Sequence, residues 1–253
     1  MKNDKPVALV TGANQGIGLQ IAKDLAAKGF TVLVGSRNYE RGEIAAKTID
    51  GDARAIQLDV TDAASIKAAV ERIGSELGRL DVLINNAAIS NTRSTPGMAL
   101  KDYIAISQPS NVPIEEVREI WETNVFGVLA VTQALLPLLR EAPSGRIVNV
   151  SSGVGSLAAN SDPAFPYRSV FTPGYGASKT ALNAITLAFA IELEPTGIKV
   201  NAVTPGFTKT ALNNYEGHET VEQGAAEAVR VALLGPDSPT GTFTQSADTT
   251  VPW

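Results

Sequence analysis

Six short runs rich in β-branched and other apolar residues recur along the chain, with segments of helical periodicity between and after them. The runs are PVALVTG (6–12), TVLVGS (31–36), ARAIQLDV (53–60), LDVLINNA (80–87), GRIVNVSS (145–152) and IKVNAVTPG (198–206). Residues 17–28, 39–50, 62–78, 114–140, 174–194 and 218–234 repeat apolar side chains at the spacing of a helix. Several runs are apolar throughout rather than alternating, as expected of strands covered on both faces. This order implies an α/β fold: a doubly wound parallel sheet of about seven strands, with right-handed crossovers and helices on both faces. GTFT (241–244) is the candidate seventh strand. No linker or low-complexity block interrupts the rhythm, so the 253 residues are expected to form one domain. Two stretches break it, 88–113 and 153–173, both rich in Ser, Pro, Asn and Gly. Excursions of this length in a compact domain tend to be functional.

Composition narrows the chemistry. A net charge of −5 argues against nucleic acid as the main partner, because phosphate binding needs a basic surface. No apolar run approaches the roughly 20 residues that span a bilayer. The N-terminal apolar stretch is too short for a signal peptide and runs into glycines, so no membrane and a cytoplasmic location are expected. The absence of cysteine removes thiolate nucleophiles and cysteine-ligated zinc. The one histidine, His218, lies in a polar run near the start of the last helical segment and reads as solvated. No G-x-S-x-G elbow accompanies it, so a Ser-His-Asp hydrolase is excluded. Proton chemistry must then come from Tyr, Lys, Asp or Glu.

YGASK (175–179) places Tyr175 and Lys179 on one helical face, within reach of each other. An ammonium beside a phenol favours the phenolate, which makes tyrosine usable as an acid and base. The spacing alone also occurs by chance. TGANQGIG (11–18) follows the first strand and opens the first helix. Its Gly12, Gly16 and Gly18 let the backbone approach a pyrophosphate, which the helix N-terminus favours. At the end of the second strand stands GSRN, where a cofactor with a free ribose 2′-hydroxyl usually finds an acid. Arg37 there suits a 2′-phosphate, so NADPH is expected over NADH.

With TGANQGIG, NNAA, TNVFG, IVNVSS, YGASK and NAVTPGFTKT in this order, the chain resembles the short-chain dehydrogenase/reductase family from end to end. Arg37, the long segment before Tyr175 and the tail GPDSPTGTFTQSADTTVPW resemble its NADPH-dependent carbonyl reductase branch. The resemblance implies a single Rossmann-type domain, with a cofactor half at about 1–150 and a catalytic and substrate half at about 151–253. It makes Tyr175 the proton donor and acceptor, with Lys179 lowering its pKa and holding the nicotinamide ribose. Ser152 would orient the substrate oxygen, with Ser151 as the competing assignment, and Asn124 would hold a water linking Lys179 to solvent. Gly12, Asn14, Gln15, Gly16, Ile17 and Gly18 would form the phosphate loop, and Ser36 with Arg37 the 2′ site. Asp59 and Val60 would meet the adenine, Asn85 and Ala87 would line the cofactor, Pro205, Gly206 and Thr210 would flank the carboxamide, and Thr208 would also contact the cofactor. Gln15 departs from the family, whose NADP-preferring members often carry Lys or Arg there.

The residue types suit reversible hydride transfer between nicotinamide and a ketone or aldehyde, without a metal. Charge builds on the carbonyl oxygen, and two hydroxyl donors stabilise it while the phenol supplies the proton. The alternatives are reduction of an activated C=C bond or epimerisation through a keto intermediate, and, in another class, an NADP-sensing regulator. The substrate is left open; 88–113, 153–173 and 207–218 would line its pocket, with Tyr103, Phe165, Tyr167, Phe171 and Phe207 as aromatic members. The second excursion separates Ser152 from Tyr175 and would stand beside helices that many relatives use to pair subunits. A monomer is therefore expected, with a homodimer or homotetramer as the other outcomes.

Overall fold

A computed structural model describes residues 5–95 and 97–253; the signal-peptide reading of the N-terminus falls partly on residues 1–4, outside the described residues. The first half alternates β1 (Val7–Val10), α1 (Gly16–Ala27), β2 (Thr31–Ser36), α2 (Tyr39–Ala46), β3 (Ala53–Gln57), α3 (Ala63–Glu76) and β4 (Val82–Asn85). After it come α4 (Leu100–Ile106), α5 (Ile114–Trp121), α6 (Gly127–Arg140) and β5 (Arg146–Val150). The rest comprises α7 (Leu157–Ser161), α8 (Tyr175–Leu193), β6 (Lys199–Val203), α9 (Val221–Ala232), β7 (Phe243–Ser246) and β8 (Thr249–Thr250).

The strands form one sheet in the order β3-β2-β1-β4-β5-β6-β7-β8. Every pairing is parallel except β7 with β8. The order reverses between β1 and β4, which opens a crevice at the carboxyl ends of those strands. Side-chain alternation gives the sheet two cores. Val10, Val34, Ile84 and Val148 face Ile21 and Leu25 of α1 and Ala228 of α9. Leu9, Leu33, Leu83 and Ile147 face Ile73 of α3, Leu135 of α6 and Phe189 of α8.

The structure adds an eighth strand, a two-residue antiparallel edge, to the seven expected. Both excursions carry a short helix, α4 and α7, that the strand–helix rhythm does not announce. The helix expected over 114–140 is continuous but interrupted by a π-helical stretch at Glu122–Phe126. By length and composition alone this helix is long and apolar enough to cross a membrane, a test that the buried core helix of a globular domain also passes. Half of its most apolar stretch is buried inside the protein, with Val131, Leu135 and Leu139 packed in the core.

Candidate active site

The glycine loop leaves β1 and is drawn against the end of β4. Gly12 has φ +63°, and a Cβ there would lie 2.9 Å from Ala87 Cα, so only glycine permits the approach. At Gly18 a Cβ would meet the Asn86 side chain and come within 2.7 Å of Gly12 O. Asn86 Nδ2 donates to Thr11 O at 2.9 Å, and Thr11 Oγ1 accepts from the N–H groups of Asn86 and Ala87, both at 3.0 Å. The loop is therefore fixed by Thr11 and Asn86, neither of which the motif singled out. The N-cap of α1 is Gln15, which makes no side-chain cap; α4, α5, α6 and α8 are likewise uncapped, but only α1 opens on the glycine loop. Its first amides are free for an anionic group. Asn14 is half-buried beside them, Ile17 packs against the adjoining core, and Gln15 is exposed.

Ser36 is buried at the end of β2 and donates to Asn38 O at 2.8 Å. Arg37 is exposed, and among the described residues its guanidinium has no hydrogen-bond or ion-pair partner. Asp59 accepts from Thr61 N and Oγ1 at 3.0 and 2.7 Å, and Val60 is buried against Gly127. The side chain of Asn85 is turned away from the crevice, contrary to the expectation that it lines the cofactor. Its Nδ2 donates to Thr132 Oγ1 at 3.1 Å and Asn149 Oδ1 at 2.8 Å, inside the core under α6 and α8. Strand alternation sends adjacent residues to opposite faces, so Asn85 braces the sheet while Asn86 reaches the loop.

The catalytic candidates meet where β5 ends and α8 begins. Ser151 is buried and donates to Asn183 Oδ1 at 2.6 Å, away from the tyrosine. Ser152 is half-buried, with its hydroxyl beside the Tyr175 phenol. Burial pushes the phenol above its ordinary value of 10.0, and the nearby Ser152 hydroxyl pulls the other way. Lys179 is buried, donates to Val150 O at 2.8 Å and stands 5.7 Å from the centre of the Tyr175 ring. Burial pushes its ammonium down to about 7. The depressed phenol expected from Lys179 is thus not found in the protein alone: burial dominates both groups and disfavours both charges. A raised phenol stays protonated at neutral pH and is suited to donating a proton.

This arrangement makes stability depend on pH. Lys179 titrates at about 7 when folded, against an ordinary lysine value of 10.5. The unfolded chain therefore binds more protons between those values, and stability of the cofactor-free protein rises with pH across that window. Relative to Lys179→Met, the wild type should gain about 2 kcal/mol between pH 7 and pH 9 in denaturant titrations. A difference independent of pH would mean that the buried lysine stays charged.

Asn124 lies in the π-helical stretch, and its side chain is fully used. Oδ1 accepts from Ile89 N at 2.9 Å, and Nδ2 donates to Ile89 O at 2.8 Å and Ser178 Oγ at 3.0 Å. A water relayed to Lys179 would have to bind Asn124 through its backbone rather than this amide. Pro205 and Gly206 follow β6, and Thr208 is buried, its hydroxyl donating to Pro205 O at 2.8 Å. Thr210 opens a single 3₁₀ turn through a capping box with Asn213.

The excursions close around this end of the sheet. Ser90 Oγ donates to Leu212 O at 2.7 Å, Asn214 Nδ2 to Met98 O at 3.0 Å, and Leu100 N to Glu216 Oε1 at 2.8 Å. A row of rings joins 153–173 to 207–218: Phe165 to Tyr167 at 5.8 Å, Tyr167 to Phe207 at 6.0 Å, and Phe207 to His218 at 5.6 Å. His218 is exposed, as expected. Tyr103 is not a lining residue: it is buried, and its hydroxyl lies 3.1 Å from both Ser90 O and Glu116 Oε1. Burial pushes its pKa up to about 12. Phe171 packs under the first turn of α8, where a Cβ on Gly176 would lie 2.6 Å from its ring.

Residues 6–221 match the model of the short chain dehydrogenase family. The chain belongs to that family. Short-chain dehydrogenase anuI of Penicillium roqueforti is 37% identical over 240 residues, covering 91% of this chain and 90% of that protein. The (-)-isopiperitenone reductase of Mentha piperita is 34% identical, covering 93% of this chain and 95% of its own length. Among solved structures, salutaridine reductase from Papaver somniferum superimposes with a TM-score of 0.79 at 30% identity, over 94% of this chain and 99% of that one. As a short-chain dehydrogenase, the protein is an oxidoreductase of a family that uses NAD(P). Its own residues fit such a cofactor: the start of α1, the close-packed Gly12 and the Arg37 guanidinium, which has no partner among the described residues, lie at the carboxyl ends of β1 and β2.

Proposed function

We propose that this short-chain dehydrogenase reduces a ketone or aldehyde to the alcohol, with NADPH as the reductant. The observation that carries the reading is that Ser152, just after β5, and Tyr175, at the start of α8, bring two hydroxyls close enough for one to act on the other. Two O–H groups at one point can share a substrate oxygen, Ser152 orienting it and Tyr175 giving it a proton as negative charge develops. The 12–18 loop and Arg37 would hold the cofactor, which when bound would supply hydride for the carbonyl carbon. Lys179 lies beneath the tyrosine ring, where its ammonium is available to replace the proton that the phenol gives up.

The aromatic row favours a substrate with an apolar body, because ring faces reward apolar contact. Relatives named (-)-isopiperitenone reductase and salutaridine reductase support reduction as the reaction. An NADPH-oxidation screen across ketones, aldehydes, quinones and enones tests this reading. Turnover is expected on apolar ketones or aldehydes; turnover of enones with the carbonyl retained in the product would replace it with C=C reduction.

A monomer is the expected solution state, from the length of the second excursion. Light scattering should return the mass of one chain, and a stable tetramer refutes it. Phe126 on the π-helical stretch and Leu187 and Ile191 on α8 remain exposed, and a refuting assembly would form through them.

A further inference from the structure

One short piece of chain, residues 114–126, grips both excursions and the catalytic helix. Glu116 of α5 is 3% exposed, and an unpaired carboxylate in that position would be strongly unfavourable. Its partners all come from the first excursion: Arg93 Nε at 2.5 Å, Thr92 N at 3.1 Å and the Tyr103 hydroxyl at 3.1 Å. Arg93 also donates to Ile106 O at 2.9 Å, which ties both ends of that excursion to one carboxylate. Further along α5, Trp121 Nε1 donates to Pro173 O at 3.0 Å, two residues before Tyr175. Beside it Ile120 packs against Gly174, where a Cβ would come within 2.7 Å of Ile120 Cδ1. The π-helical stretch completes the grip through Asn124, which holds Ile89 and Ser178.

A well-packed apolar side chain would fill position 116 without needing three donors, so stability alone does not account for a carboxylate there. The part of the first excursion that meets Glu116 through Thr92 and Arg93, SNTRSTPG (90–97), has no large apolar side chain to bury. Charge-assisted hydrogen bonds are the strong contacts left for fixing such a segment. The indole of Trp121 acts on the other side, on the backbone that leads into the first turn of α8.

We propose that α5 positions the substrate cleft through these two residues. Glu116 fixes the wall made by the first excursion, and Trp121 fixes the backbone that sets the height of Tyr175. Both are positioning residues. The kinetic half of the inference rests on the proposed carbonyl reduction; the structural half does not.

The test uses Glu116→Gln and Trp121→Phe in the full chain, with Arg93→Lys as a variant that keeps the charge but loses the fork. Hydrogen exchange read by mass spectrometry should rise about tenfold or more over 90–107 in Glu116→Gln, the size expected for one lost charge-assisted bond. In Trp121→Phe the rise should be confined to 168–178, and Arg93→Lys should fall between wild type and Glu116→Gln. With a ketone taken from the screen, Glu116→Gln should raise KM about tenfold with a smaller change in kcat. Trp121→Phe should lower kcat about tenfold with KM nearly constant, as expected for a slightly misplaced reacting group. Exchange that rises uniformly across the sheet or nowhere, or KM and kcat that move together in both variants, would overturn the proposal. If wild type reduces no carbonyl compound, the proposed function fails, and the exchange pattern alone decides the positioning.

Discussion

Replacing Tyr175 by Phe is expected to lower kcat by about 10²- to 10⁴-fold, the range that general acid–base catalysis supplies. The substitution removes one oxygen and little else. The ring keeps its place at the start of α8, its centre 5.7 Å from Lys179 Nζ. Cofactor binding should therefore remain near wild type, while the developing alkoxide loses its proton source. Burial holds the phenol above its ordinary pKa, so the group is an acid throughout the neutral range and no nearby histidine can replace it. Ser152→Ala should cost less alone, and the double variant little more than Tyr175→Phe, because the two hydroxyls act on one oxygen. Ser151→Ala should not share this effect, since that hydroxyl is committed to Asn183. Single-turnover kinetics isolate the chemical step from product release. A Tyr175→Phe enzyme with near-wild-type kcat would remove the tyrosine from the mechanism.

Arg37→Asp should raise KM for NADPH roughly 30- to 1000-fold while changing that for NADH far less. The guanidinium stands exposed at the end of β2 and, among the described residues, spends none of its donors on the protein. A 2′-phosphate would take those donors in charge-assisted bonds; a carboxylate in the same place would repel it and accept from a ribose 2′-hydroxyl instead. The variant changes an exposed residue beyond the strand, so its melting temperature should stay close to wild type. Raising the salt concentration should weaken NADPH binding more than NADH binding in the wild type, since an exposed ion pair is screened. Equal use of NADH and NADPH by the wild-type enzyme would contradict this assignment.

Features that depend on residue type at short spacing were legible in the sequence. Continuous apolar runs required strands covered on both faces, and the alternation with helices required a parallel sheet. The glycines at 12 and 18 announced a close backbone approach, and Tyr175 with Lys179 announced a shared helical face. These are local constraints, set by sterics and by helical or strand periodicity. What a side chain meets from a distant part of the chain was settled only by the tertiary structure. The motif NNAA does not say which asparagine faces the crevice. The strand's pleat turns Asn85 into the core, toward Thr132 and Asn149, and leaves Asn86 to hold the loop. Two adjacent serines are equivalent in sequence until Asn183, from the middle of α8, takes one of them. Tyr103 looks like pocket lining by composition, but a buried carboxylate 13 residues further on claims its hydroxyl. Glu116 itself gave no sequence signal, because an isolated glutamate on a helix usually faces water. Its role depends on partners that arrive from residues 92–103, and only the folded chain brings those donors together around a charge that water no longer reaches.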